Sequence, residues 1–254
     1  MHVQSHGPED GVPIVFLHGA MVAGWMWLGQ VEGLPGYRCL LPDLPGMGAS
    51  ADVPWRGIAE SADTVAEVIG AACPEGSAHV VGLSLGGLVA LRLAERAPER
   101  VRSLIVSGVP RGAVPAPLRM LSAVMARLYG RPVGARLVAA LFGIPDDESR
   151  DAFLETAART RPEALRAVMD EVAAGALPAQ PEAIAVPTLL VVGERDTGPA
   201  RAAVPWLAAR MPAARGCVVP GVGHQWNAEN GALFTEMVSA WVSARTVPES
   251  FRAA

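Results

Sequence analysis

One pentapeptide places a serine where it could act as a nucleophile. The segment GLSLG at residues 82–86 has Ser84 at its centre and matches the pattern G-x-S-x-G. It directly follows an apolar run, Ala78–Val81, and opens a helical pattern over residues 86–97. A sharp strand-to-helix turn of this kind exposes a serine hydroxyl at the carboxyl edge of a sheet, and the helix N-terminus favours developing negative charge there. The alternative is a glycine-rich turn whose serine has no role.

A serine hydroxyl needs a base, and histidine placement selects one candidate. The five histidines are His2, His6, His18, His79 and His224. His224 follows the last apolar run, Gly216–Val219. Loops at the carboxyl ends of parallel strands lie on one edge of the sheet, so His224 could accept the hydroxyl proton of Ser84. The alternative is an ordinary surface histidine.

The histidine in turn needs a carboxylate that orients its ring and stabilises the charged imidazolium. Asp196 follows the apolar run Thr188–Val192 and is therefore expected on the same edge of the sheet. Glu194 is a near rival, and Asp43 is a weaker one. We predict the catalytic set Ser84, Asp196 and His224.

Two backbone N–H groups are predicted to stabilise the negative oxygen that forms in the transition state. Ala20 ends the segment HGA at residues 18–20, directly after the apolar run Ile14–Leu17. Its N–H and that of Leu85, the residue after the serine, are the predicted donors. His18 is interpreted as a structural residue whose ring binds nearby loops, and not as a base.

The elements that must position these residues follow from the order of segments. Further apolar runs occur at Tyr37–Leu41 and Ser103–Val106. Helical patterns lie at about residues 58–72, 86–97, 200–210 and 230–244. Strands without polar alternation, separated by helices, predict an α/β fold: a mostly parallel twisted sheet with helices on both faces.

One long segment interrupts this alternation. From Arg111 to Ala179 the pattern is helical, and a structureless loop of that length would be unusual. We predict a helical insertion at residues 111–180 over one end of the sheet, with the core formed by residues 1–110 and 181–254. Its methionines, such as Met120, Met125 and Met169, either pack against the core or line an apolar pocket.

Composition excludes several classes of protein. Hydrophobic residues make up 51% of the 254 residues, which excludes a disordered chain, and the net charge of −4 argues against nucleic-acid binding. No run of about 18 uncharged apolar residues occurs, so no membrane span is expected. The N-terminal residues resemble no signal peptide. Cys39, Cys73 and Cys217 lack metal-type spacing, and we expect buried thiols in a cytoplasmic protein with no metal and no cofactor.

Together these segments resemble the α/β-hydrolase superfamily over nearly the whole chain. The motifs that carry the resemblance are the HGA segment with Trp25 and Trp27 beyond it, the segment DLPGMGAS at residues 43–50, the Ser84 turn, the Asp196 loop and the pair Gly223-His224. The resemblance implies a helical cap between the sixth and seventh family strands, where residues 111–180 fall. Many members have histidine at the position of Met47, and histidine or tryptophan at that of Leu83. It also implies a first strand that is missing or reduced to the segment around His2–Ser5.

The expected activity is hydrolysis by a serine-dependent enzyme. Its substrate is predicted to be a small, apolar carboxylic ester, thioester or lactone, cleaved through an acyl-enzyme. Alternatives with the same three residues are C–C bond hydrolysis, enol-lactone hydrolysis, perhydrolysis and a lyase reaction, and a further alternative is a non-catalytic ligand receptor. Substrate-pocket candidates are Met21, Trp25, Leu83 and Trp226. The expected partner is this small-molecule substrate, and the oligomeric state stays open.

Overall fold

The apolar runs form the centre of one sheet. A computed structural model describes residues 1–73, 75–113, 116–144 and 147–254. In these residues eight strands are ordered β1-β3-β2-β4-β5-β6-β7-β8. They are β1 (Val3–His6), β2 (Val12–Leu17), β3 (Tyr37–Pro42), β4 (Ala78–Leu83), β5 (Val101–Ser107), β6 (Thr188–Gly193), β7 (Ala214–Val219) and β8 (Arg252–Ala253). The edge strands β1 and β8 pair antiparallel with β3 and β7, and the other neighbours pair parallel.

Helices cover both faces of this sheet. The helices are α1 (Leu28–Glu32), α2 (Ile58–Ala72), α3 (Leu85–Arg96), α4 (Ala116–Tyr129), α5 (Pro132–Leu141), α6 (Glu148–Arg159), α7 (Pro162–Ala174), α8 (Gly198–Ala208), α9 (Trp226–Glu229) and α10 (Gly231–Ala244). Along β2, Val15 and Leu17 pack in a cluster with α2, α3 and α8, whereas Ile14 and Phe16 pack in a second cluster with α10. The predicted α/β fold is confirmed.

Four helices, α4 to α7, lie between β5 and β6, within the predicted insertion. They enclose an apolar cluster of their own, which includes Tyr129, Val138 and Phe153. Met21 and Val22 from the loop after β2 belong to the same cluster, so the insertion packs on that loop. Met120 is 71% exposed, whereas Met125 and Met169 pack partly buried against this cluster. Residues 114–115 and 145–146 of the predicted insertion lie outside the described residues.

Both ends of the chain join the sheet. The first strand, β1, covers Val3–His6, close to the segment in which a reduced strand was expected. At the other end, β8 pairs with β7, and the ring of Phe251 stacks edge-on against Trp226 with centroids 6.0 Å apart. No helix within the described residues has both the length and the apolar character needed to cross a membrane.

Candidate active site

Ser84 stands on a strained turn between β4 and α3. Its φ of 55° is left-handed, a conformation that serine rarely adopts. The Ser84 N–H donates to the carbonyl of Ser107 at the end of β5, at 2.8 Å. Gly86 makes the turn possible, because a Cβ there would lie 2.0 Å from the carbonyl oxygen of Leu17. The side chain of Ser84 is half-buried, and the residues on either side of it are buried.

Asp196 and His224 are in direct contact. The imidazole Nδ1 lies 2.9 Å from Asp196 Oδ2 and 3.0 Å from Oδ1. The aspartate side chain is 1% exposed, and that of His224 is 39% exposed. Asp196 Oδ1 also accepts the N–H of Thr197 at 2.6 Å, which fixes the carboxylate. With Nδ1 facing the aspartate, Nε2 on the other side of the ring is the atom left to exchange a proton.

Gly108 connects the serine turn to this pair. It follows Ser107, whose carbonyl holds the Ser84 backbone. A Cβ at Gly108 would lie 3.0 Å from both Nδ1 and Cε1 of His224, and the residue has φ +66°. The structure therefore gathers the loops after β4, β5, β6 and β7 at one edge of the sheet, as the parallel topology requires.

The two rival carboxylates have other partners. Glu194 is exposed; its Oε2 accepts the N–H of Gly221 at 2.9 Å, and its Oε1 contacts Arg252. The hydrogen bond from the Gly221 N–H lowers the pKa of Glu194, and the charge of Arg252 lowers it further. Asp43 is buried and accepts the N–H groups of Gly24 and Ala49 at 2.8 Å each. Asp43 thus ties the loop after β2 to the loop after β3.

His18 orients the peptide that carries one predicted N–H donor. Its Nε2 accepts the N–H of Leu44 at 2.8 Å, so Nδ1 is the nitrogen with the proton and donates to the Gly19 carbonyl at 2.8 Å. Burial lowers the pKa of His18, which keeps the ring neutral. Because a peptide unit is planar and trans, fixing the Gly19 carbonyl also fixes the Ala20 N–H, which points the opposite way.

The Ala20 N–H lies in a loop beside the serine. A Cβ at Gly19 would be 3.8 Å from the Cβ of Ser84, so the two segments are neighbours. Among the described residues, the Ala20 N–H donates to no acceptor. Leu85 is the first residue of α3, and the first N–H groups of a helix lack partners within the helix. Both predicted donors are thus available to a ligand.

The four predicted pocket residues differ in their surroundings. Met21 and Leu83 are 3% and 2% exposed. Trp226 is fully buried against Phe234, and its Nε1 donates to Ser107 Oγ at 2.9 Å, so its ring belongs to the core. Trp25 is half-buried and lies in the wall of a cavity of about 220 Å³ between the loops after β2 and β3 and α6. The wall of this cavity includes neither Ser84 nor His224.

The three cysteines are buried, and this affects whether they could act as nucleophiles or metal ligands. Cys39, Cys73 and Cys217 are free and buried, and burial raises the pKa of Cys39 to about 11, which keeps that thiol protonated. In the described parts of the chain, no group of three or more His, Cys, Asp or Glu side chains could hold a metal ion.

Comparison with known proteins identifies the family of the chain. A sequence model described as "Alpha/beta hydrolase family" matches residues 14–236. The chain belongs to this family. The prediction that this protein is an enzyme of the α/β-hydrolase superfamily is confirmed.

Two proteins similar to this chain are named as esterases. The chain is 31% identical over 239 residues to the pimeloyl-[acyl-carrier protein] methyl ester esterase of Nitrosomonas europaea. The matched region covers 88% of this chain and 92% of that protein. The esterase of the same name from Aeromonas hydrophila is 32% identical over 250 residues, 92% of this chain and 96% of that protein. A hydrolase from Pseudomonas aeruginosa has a similar structure, with a TM-score of 0.79, 25% identity and coverage of 95% and 94%.

Two features of the site lay outside the sequence prediction. Gly108 was visible as a glycine two residues after the apolar run Ser103–Val106, but its contact with His224 depends on the pairing of β4 with β5 and β5 with β6. Tyr129 donates a hydrogen bond to the carbonyl of Met21, 108 residues away in sequence. No local pattern around Tyr129 signals that contact.

Proposed function

We propose that the protein is a serine hydrolase that cleaves small, apolar carboxylic esters, thioesters or lactones through an acyl-enzyme. The observation that carries the proposal is the contact between His224 Nδ1 and the buried Asp196 carboxylate, on the edge of the sheet where Ser84 stands on its strained turn. The names of the two esterases that match more than four-fifths of the chain support an ester as the substrate.

In the first half of the reaction, Ser84 Oγ attacks the acyl carbon while His224 Nε2 takes the hydroxyl proton. Asp196 keeps the proton of Nδ1 in place and stabilises the imidazolium. The Ala20 and Leu85 N–H groups donate to the negative oxygen of the tetrahedral intermediate; loss of one such donor typically costs about 3 kcal/mol of transition-state stabilisation. The intermediate collapses, and His224 protonates the departing alcohol or thiol.

In the second half, water cleaves the acyl-enzyme. His224 Nε2 takes a proton from the water as its oxygen attacks the acyl carbon. The second tetrahedral intermediate releases the carboxylic acid, and Ser84 Oγ recovers its proton from His224. No other co-reactant is consumed.

The helical segment at residues 111–180 acts in this proposal as a cap over the site, on a core formed by residues 1–110 and 181–254. The support is its packing on Met21 and Val22, directly after the Ala20 loop. An apolar cluster in the cap favours an apolar acyl or alcohol group, with Met21, Trp25 and Leu83 as the candidate pocket residues.

The test is steady-state hydrolysis of p-nitrophenyl acetate, butyrate and octanoate by the wild type and Ser84→Ala. We expect kcat/KM to fall by about 10⁴-fold or more in the variant, because the nucleophile is lost. Unchanged turnover by Ser84→Ala would contradict the proposal. Parallel assays with an enol-lactone, a vinylogous diketone and peracid formation identify the bond that is cleaved, and tight binding without any turnover would favour a receptor.

A further inference from the structure

The loop that carries the Ala20 N–H contains a second strained residue. Met21 has φ 68°, a left-handed conformation in a residue with a long side chain. Such a conformation persists only where surrounding contacts enforce it, and it occurs often at functional sites. The side chain of Met21 is 3% exposed and packs in the apolar cluster of the inserted helices.

The inserted helices also hold the backbone of Met21. Tyr129, the last residue of α4, donates its hydroxyl proton to the Met21 carbonyl at 2.8 Å. The tyrosine is 1% exposed, and its ring stands edge-on to Phe153 with centroids 5.3 Å apart. Burial raises the pKa of Tyr129, against a smaller lowering by a hydrogen bond with Thr160, so the hydroxyl stays protonated and remains a donor.

Hydrogen bonds thus hold the loop after β2 from two sides. On the core side, His18 fixes the Gly19 carbonyl and with it the Ala20 N–H. On the side of the insertion, Tyr129 fixes the carbonyl of Met21, two residues after Gly19. Ala20 lies between these two anchors. Among the described residues its N–H has no acceptor of its own, so its direction depends on how the neighbouring peptides are held.

We infer that Tyr129 is a positioning residue. Through its hydrogen bond to the Met21 carbonyl it holds the loop after β2, which carries the Ala20 N–H. The inserted helices then take part in building the oxyanion hole in addition to covering the site. The inference rests on the proposed function, because it assigns Tyr129 a part in stabilising the tetrahedral intermediate.

Tyr129→Phe removes the hydroxyl and keeps the ring that packs on Phe153. We expect kcat for p-nitrophenyl butyrate to fall by about tenfold, less than the 10²–10³-fold loss typical when an oxyanion donor is removed, because the donor is loosened and not lost. KM should change by less than about twofold. The Ki of an alkyl boronic acid, which forms a tetrahedral anion on the serine, should rise by about the same factor as kcat falls.

The matched control is Thr156→Val. Thr156 Oγ1 accepts the Nε1 proton of Trp25 at 3.0 Å, so this variant breaks a second side-chain hydrogen bond between the insertion and the loop after β2. It leaves the Tyr129 contact in place. We expect kcat of Thr156→Val to stay within about twofold of the wild type; KM and Ki do not serve as controls, because Trp25 is itself a candidate pocket residue.

Two outcomes overturn the inference while the proposed function survives. One is a Tyr129→Phe enzyme with unchanged kcat and Ki, and the other is a Thr156→Val enzyme whose kcat falls as much as that of Tyr129→Phe. A wild type that neither hydrolyses esters nor reacts with a fluorophosphonate refutes the proposed function, and this inference with it. Thermal unfolding verifies that each variant folds, and Tyr129→Met serves as the second variant without a hydroxyl should Phe prevent folding.

Discussion

At the scale of single residues, the site depends on the absence of a side chain at Gly108. Its Cα faces the imidazole of His224, and its φ of +66° is left-handed. The same space that accommodates the ring would be filled by any larger residue. A position with no functional group therefore determines where the base of the reaction lies.

Replacing Gly108 with alanine should move His224. The new Cβ would lie 3.0 Å from the ring, and displacement of a catalytic group by about 1 Å can cost about 10²-fold in rate. We expect kcat/KM for p-nitrophenyl butyrate to fall by about that factor. Gly112→Ala is the control: Gly112 has φ +73°, and a Cβ added there would have no other atom within 4 Å. That variant therefore carries the same backbone strain of about 1–2 kcal/mol without a new contact. Equal losses of activity in the two variants would contradict this account.

The choice between Asp196 and Glu194 is a second question at this scale. Asp196→Asn should lower kcat by about 10³–10⁴-fold, because the amide favours the wrong imidazole tautomer. Glu194→Gln should leave kcat within about twofold, since that carboxylate contacts the Gly221 N–H and Arg252. Kinetics of the two purified variants decide the question, and a larger loss in Glu194→Gln would reverse the assignment.

The sequence predicts the site residues to different degrees, for a physical reason. Ser84, Asp196 and His224 each stand next to an apolar run, so local pattern and the parallel topology place them on one edge. The contacts of Gly108 and Tyr129 arise from strand pairing and from helices packed over the loop after β2. Such contacts join distant segments, and nothing in the neighbouring sequence encodes them.

At the scale of elements, β4 and β5 bury a titratable histidine between them. His79 of β4 is 6% exposed, and its Nδ1 lies 2.7 Å from Ser103 Oγ of β5. Burial, together with the charges of Arg245 and Arg102, lowers the pKa of His79 from 6.5 to about 4. The folded protein therefore keeps this ring neutral under conditions in which the unfolded chain would bind a proton.

This shift predicts a loss of stability in acid. Between pH 6.5 and about 4, His79 binds a proton in the unfolded state but not in the folded state. The contribution of His79 to the free energy of unfolding is therefore complete above pH 6.5 and is lost as the pH falls toward 4. Urea unfolding of the wild type between pH 7 and pH 4 should show this decline, and His79→Gln should show a shallower one. Identical pH slopes for the two proteins would contradict the assignment to His79.

The elements that the sequence predicts are those with long apolar runs. Each of the six predicted strands lies within one of β2 to β7, and the four helical patterns match α2, α3, α8 and α10 within two residues. The short helices α1 and α9 and the edge strand β8 have no such run. The chain after Arg245 also lacks a long apolar run, yet it packs on the core, because Phe251 contacts Trp226 and β8 pairs with β7.

At the scale of the whole molecule, the sheet and the insertion meet at the loop after β2. This loop follows His18, contributes Met21 and Val22 to the cluster of the inserted helices, and accepts the hydroxyl of Tyr129. Its neighbours on the core side are Ser84 and the loop that begins at Asp43. The proposed chemistry therefore depends on both parts of the molecule being packed together.

The measurement that tests the central claim most directly is the intact mass of the protein after reaction with a fluorophosphonate. The account predicts one adduct per wild-type chain, located at Ser84 by peptide mapping, and no adduct on Ser84→Ala. It also predicts that His224→Ala labels far more slowly, because the proton of Ser84 has no acceptor. An unlabelled wild type, or an adduct that persists on Ser84→Ala, would contradict the account.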